Sequence, residues 1–208
     1  MNHKNRVLAF LSLFFFCSLK VFSQEGLYYF QPAKTWELGG RVGFTTSIIN
    51  SKGEPDLERG VKLGLTGGVF ARYQWAEQWA LHTDLGYSIR GNKSESGNFE
   101  NGYIDFAVTP VRNVKYKMFG NEMTFDFFLG PGISFLTSAV DKDNLAIDMQ
   151  QLLPSTELNI VIGGGLPLGP ILLTATSRVG MTNLFRKVVN DSPWFSFSTE
   201  WTAAYRFR

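Results

Sequence analysis

Residues 61–75 read VKLGLTGGVFARYQW, and this stretch decides the fold. Val61, Leu63, Leu65, Val69, Ala71, Tyr73 and Trp75 share one parity, while Lys62, Gly64, Thr66, Gly68, Arg72 and Gln74 share the other. Successive side chains of a strand point to opposite faces, so the period of two describes a strand with one apolar and one polar face.

The same alternation recurs in seven further segments: 36–45, 79–90, one beginning at Tyr103, 123–138, 156–166, 171–181 and 194–207. Clusters of Gly, Pro, Asn, Asp and Ser separate them. Helical periodicity is weak throughout. The polar parity carries six cations (Arg41, Lys62, Arg72, Arg90, Arg178, Arg206) and six acids (Glu37, Asp84, Asp105, Asp126, Glu157, Glu200), whereas the apolar parity carries almost no charge. Alternation alone also fits a soluble sandwich or a lipocalin-like barrel, because any antiparallel sheet with one buried face alternates.

Three features point to lipid on the apolar side. The connections alternate between long (46–60, 91–102, 139–155, 184–193) and short (76–78, 120–122, 167–170), the asymmetry of outer-membrane barrels with tight periplasmic turns and longer extracellular loops. Trp36, Trp75, Trp79, Tyr205 and Phe207 fall at the expected periplasmic rim and Trp194 at the opposite one, where rings that are part apolar and part polar suit the headgroup level. Ten glycines, among them Gly39, Gly43, Gly68, Gly86, Gly163 and Gly180, lie on the charged parity. Eight strands enclose a space barely wide enough for side chains, so arginines enter it only beside empty positions. The expectation is therefore an all-β, eight-stranded antiparallel up-and-down transmembrane barrel with a polar interior. Glu37, Arg41, Lys62, Arg72, His82, Asp84, Arg90, Asp105, Asp126, Glu157, Arg178, Glu200 and Arg206 would form a self-neutralising polar plug, because an unpaired charge there is costly.

The pattern strains in three places. Beyond Pro110, strict parity aims Arg112 at lipid, and a bulge near the proline would restore the register. Phe70 and Phe128 are large residues on the crowded face.

The N-terminus adds a compartment. Lys4 and Arg6 precede an apolar run, Val7 to Leu19, that is shorter than the roughly 20 residues of a membrane-spanning helix. With Val21-Phe22-Ser23 behind it, the segment reads as a secretory signal cleaved after Ser23. The expected organisation is a signal peptide over 1–23, a periplasmic segment over 24–35 and the barrel over 36–208. Cys17, the single cysteine, lies within the leader behind the bulky Phe16, which disfavours lipidation; the exported chain then has no disulfide or thiolate site. Removing Lys4, Arg6 and Lys20 leaves 17 cations against 18 acids, which gives no support for nucleic acid as a partner.

Several short patterns resemble the PorT-like outer-membrane β-barrel domain family: Gly39-Gly40-Arg41-Val42-Gly43-Phe44, Tyr103-Ile104-Asp105-Phe106-Ala107-Val108-Thr109-Pro110, Phe128-Leu129-Gly130-Pro131-Gly132 and Arg178-Val179-Gly180-Met181-Thr182-Asn183-Leu184. The closing strand departs from that family, because its final aromatic is followed by Arg208. The resemblance implies a barrel in the outer membrane. It implies function only loosely, since its members include secretion-associated barrels and fold does not fix function.

Chemistry is sparse. With His3 in the leader, His82 is the remaining histidine, and Asp84 shares its face; this pair is the one feature that invites a hydrolase or acyltransferase reading. Its place near Trp79, away from the outer rim, and the lack of a nucleophile favour a structural lumenal histidine. Asp141, Asp143 and Asp148 lack the glycine and closing glutamate of a calcium loop. Gly163-Gly164-Gly165 is followed by no Lys-Ser/Thr, so it is no phosphate loop. No cofactor or metal site is expected. The expected partners are outer-membrane lipid, the barrel-assembly machinery during insertion and an envelope protein. The favoured role is a non-enzymatic structural or accessory one in the envelope, with a secretion link; an extracellular ligand-binding barrel using the long loops, or a barrel enzyme centred on His82, are the alternatives.

Overall fold

The computed structural model describes residues 34–51, 60–94, 97–118, 121–142, 153–182 and 194–207. The expected signal peptide and most of the segment that follows it lie outside these residues, as do Asp143 and Asp148. Eight strands follow one another: β1 Thr35–Ser51, β2 Lys62–Ala76, β3 Trp79–Ser94, β4 Gly97–Met118, β5 Asn121–Asp141, β6 Thr156–Leu168, β7 Ile171–Gly180 and β8 Trp194–Phe207. Each pairs antiparallel with its chain neighbours, and β1 pairs with β8, so the sheet closes into an up-and-down barrel.

The barrel is inverted relative to a soluble one. Leu65 on the outside is 68% exposed, whereas Asp105 in the lumen is fully buried. The alternation explains both, because one parity of every strand must face out and the other in. Leu38, Val42, Phe44, Leu85, Ile160 and Trp201 continue the outer apolar surface around the barrel.

At one rim lie the start of β1, the end of β8 and the short connections 77–78, 119–120 and 169–170. Gly169 turns the last of these with φ of 62°, a left-handed conformation open to glycine. This turn rim carries Trp36, Trp75, Trp79, Tyr205 and Phe207; the rings of Trp36 and Tyr73 lie 4.7 Å apart, and those of Tyr205 and Phe207 5.4 Å apart. Trp194 begins β8 at the far rim.

Three expectations need correcting. The stretch 91–102 is not a long loop: β3 and β4 stay paired through Arg90↔Asn101, Asn92↔Phe99 and Ser94↔Gly97, leaving only 95–96 as the connection. A hairpin beyond the apolar band can be polar on both faces, which ends the alternation without ending the ladder.

No bulge forms at Pro110. Its β3 partner is Leu81, and the β4–β5 register is the same before it, at Ala107↔Gly132, as after it, at Val111↔Phe128. The irregularity lies elsewhere, where Gly102 and Tyr103 face Ser138 and Leu136, so Thr137 is the extra residue. Beyond it the parity of β5 flips and turns Ala139 and Asp141 inward, both of them buried.

Arg112 therefore does keep the outward parity. At the turn rim it lies over the Trp79 ring, 5.1 Å from its centroid, and donates to Gln78 Oε1 at 3.4 Å. The Trp79 face and the Gln78 side-chain amide give the guanidinium partners at the edge of the band.

Candidate functional site

Most of the described ion pairs lie in the lumen. Midway along it, Arg41 from β1 forks onto Asp84 from β3, with Nε to Oδ2 and Nη2 to Oδ1 both at 2.7 Å. Its Nη1 donates to Glu200 Oε2 of β8 at 3.0 Å and to Thr66 Oγ1 at 3.1 Å. Arg178 from β7 donates through Nε to Glu200 Oε1 at 2.9 Å and lies 3.7 Å from Asp84. Two arginines and two acids thus bind four strands together. The bidentate geometry is the one that best offsets the desolvation of buried ions.

Toward the far rim, Arg90 donates to Asp105 and lies over the Tyr103 ring at 4.9 Å. Ser88 and Ser134 each donate to Asp105 at 2.6 Å, and Asn159 donates to Ser134 at 2.8 Å. Glu157 accepts from Ser196 and sits 3.9 Å from Arg90. Toward the turn rim, Arg72 donates to Asp126 at 2.6 Å, with Glu37 at 4.0 Å. Asn113 adds a bond to Asp126 at 3.0 Å, and Arg206 reaches Glu37 at 3.5 Å and the carbonyl of Gly169.

Lys62 stands apart from these clusters. At the far rim it donates to Asn98 Oδ1 at 2.6 Å and pairs with Glu100 at 3.4 Å, while Lys142 holds Glu100 from the other side at 2.5 Å. Glu100 lies in the stretch read as a loop, so its part here was not visible in the sequence.

An apolar layer separates the turn-rim cluster from the central one. Along β2 the inward order is Arg72, Phe70, Gly68, Thr66; along β8 it is Arg206, Ala204, Thr202, Glu200. Phe70, Leu172 and Ala204 pack together as a small buried core. His82 is stacked between Phe70, 5.1 Å between centroids, and Phe128 at 6.3 Å. The two phenylalanines that crowd the polar face thus hold the histidine between them. A Cβ at Gly39 would lie 2.3 Å from the Phe70 ring, and one at Gly163 2.6 Å from the Phe128 ring, so each large ring occupies the volume a glycine vacates.

As an acid–base centre His82 is poorly placed. Its Nε2 lies 4.0 Å from Asp84 Oδ2, beyond hydrogen-bond reach, and Asp84 is already committed to Arg41. Among the described residues no group of three His, Cys, Asp or Glu is arranged to hold a metal. A cavity of about 40 Å³ adjoins His82, lined by Phe70, Phe128, Leu172, Arg72 and Arg178 among others. Ion pairs, packed rings and a small void fill the middle of the barrel.

Of the residues outside the sequence-based set, Tyr103 and Asn113 join the lumen because β4 keeps one parity through Pro110; carrying that parity on would have found Asn113.

A family described as outer membrane protein beta-barrel domain matches residues 22–186. Among solved structures, the attachment invasion locus protein Ail of Yersinia pestis is 15% identical, with a TM-score of 0.45, covering 82% of this chain and 98% of its own. OprG from Pseudomonas aeruginosa is 12% identical, TM-score 0.43, over 86% and 100%. Neisserial surface protein A is 12% identical, TM-score 0.42, over 83% and 97%. No curated protein matches the chain.

Proposed function

We propose that this chain, which belongs to the outer membrane protein beta-barrel domain family and resides in the outer membrane, is a non-enzymatic accessory subunit of an envelope assembly. The PorT-like patterns in β1, β4, β5 and β7 point to an assembly concerned with secretion. In this reading residues 1–23 are the export signal, the turn rim faces the periplasm, lipid covers the outer face, and the barrel-assembly machinery inserts the chain. The observation that carries the reading is the filled lumen: each of its arginines is paired with an acid, and His82 is held by two phenyl rings rather than by a nucleophile.

The role then belongs to the surfaces at the two rims. The test is a set of full-length variants expressed in place of the native chain. In one set the residues of the periplasmic turns 77–78 and 169–170 and the segment 24–33 are replaced; in another the connections 52–61 and 142–155 are shortened. Loss of the envelope phenotype with the first set, in barrels that still assemble, supports the accessory role. Loss confined to the second set would replace it with an extracellular ligand-binding role. Loss in His82→Ala alone, with the barrel intact, would reinstate an enzyme.

A further inference from the structure

The cavity beside His82 contains an imbalance that identifies its occupant. Of the residues lining it, Arg41, Asp84, Asp126 and Glu200 have spent their polar atoms on one another and on their neighbours. Arg72 and Arg178 have not. Arg72 Nε and Arg178 Nη1 are buried without a hydrogen-bond partner; Glu37 Oε2, likewise unpartnered, lies 4.0 Å from Arg72 Nε, beyond hydrogen-bond reach, and is not part of the cavity wall. Both arginines are less than 4% exposed. The His82 ring, also on the wall, makes no hydrogen bond among the described residues. Every group left over on two buried guanidinium ions is an N–H donor, and a buried donor without an acceptor costs about 1–3 kcal/mol. The remaining wall is mostly apolar, from Phe70, Phe128, Val111, Val161, Leu172 and Ala204, with the hydroxyls of Thr109, Thr174, Thr176 and Thr202 among them.

We propose that this cavity is a binding site for small hydrogen-bond acceptors of water or halide size, held by Arg72 Nε, Arg178 Nη1 and the His82 ring. The volume sets the limit. A water needs about 10–15 Å³ by the same measure, so 40 Å³ admits about three. Water and a halide ion present the same chemistry to a guanidinium N–H and differ in charge. The lining holds three arginines against three carboxylates. It neither demands nor forbids an anion, and the occupant completes hydrogen bonding rather than charge. Position gives the site its consequence. Arg72 belongs to the cluster at the turn rim and Arg178 to the central one, with the Phe70–His82–Phe128 stack between them. The occupant links two ion clusters that share no direct bond across the apolar layer.

The experiment is a crystal structure of the full barrel in detergent, grown in sodium bromide, with data recorded at the bromine absorption edge. Density within hydrogen-bonding distance of Arg72 Nε or Arg178 Nη1 is the expected result. An anomalous peak on that density identifies a halide, and density without one identifies water. In Ala204→Leu, which fills the cavity from β8, the density should disappear while the Arg41–Asp84 fork persists. An empty cavity in the unsubstituted barrel, or both arginine groups bonded to protein atoms instead, would overturn the proposal.

Discussion

Gly86 and Arg41 share one volume: a Cβ at Gly86 would lie 2.5 Å from Arg41 Nη2, the atom that bonds Asp84 Oδ1. The lumen has no slack at this point, so the glycine is a condition of the ion pair. Gly86→Val should push the guanidinium off Asp84 and leave buried charge unpaired, a loss of about 3–5 kcal/mol. The check is urea unfolding of the barrel refolded in detergent, with Gly40→Val as control. Gly40 faces outward, with its nearest neighbour 3.9 Å from a Cβ, and its substitution should change stability by less than about 0.5 kcal/mol.

The outer face makes a depth-dependent prediction. Phe44→Arg places a charge within the apolar band and should cost about 2–4 kcal/mol, whereas Trp36→Arg at the rim should cost about 0–1 kcal/mol. Unfolding in lipid vesicles measures both. Equal costs at the two positions would mean that the band does not end at the tryptophan belt.

For His82, replacement by alanine removes the middle ring of the stack and enlarges the neighbouring void. The barrel should survive with a loss of about 1–3 kcal/mol. Electrophoresis of the outer-membrane fraction with and without boiling reads this directly, since a folded barrel migrates as a compact species until heated. The compact unboiled band should appear in both the unsubstituted and His82→Ala proteins.

Arg112 and Trp79 should behave as a coupled pair. A double-mutant cycle with Arg112→Ala and Trp79→Leu is expected to give a coupling of about 0.5–2 kcal/mol, the range for a cation over an indole face with partial desolvation. A coupling of zero would reduce their 5.1 Å approach to mere proximity.

Much of this was readable along the chain, because parity is a local property. The inward placement of Arg41, Asp105 and Glu200 follows from counting by twos within one strand. What was not readable depends on two strands at once. Phe70 fits the lumen because Gly39 stands across from it on β1, and Phe128 because Gly163 stands across on β6; neither partner is evident until the register is known. The bulge was sought at Pro110, where a donor is missing, but it lies at Thr137 in a run with no Gly or Pro to mark it. Residues 91–102 failed for another reason: their polarity reports the solvent around them rather than the state of the backbone.

The pairing of β1 with β8 has a consequence in time. Arg41 and Glu200 are 159 residues apart, and Glu37 and Arg206 are likewise joined only across that seam. Contacts across this seam are among the most distant in sequence that the described residues make, and contacts of this separation are slow to form. A ribbon lacking its last strand would hold Arg41 with one of its two carboxylates still absent. The pairing of these buried charges is thus completed late, at the moment the first strand meets the last, and a chain cut short before Glu200 would leave Arg41 and Glu37 each short of a partner as well as opening a structural gap.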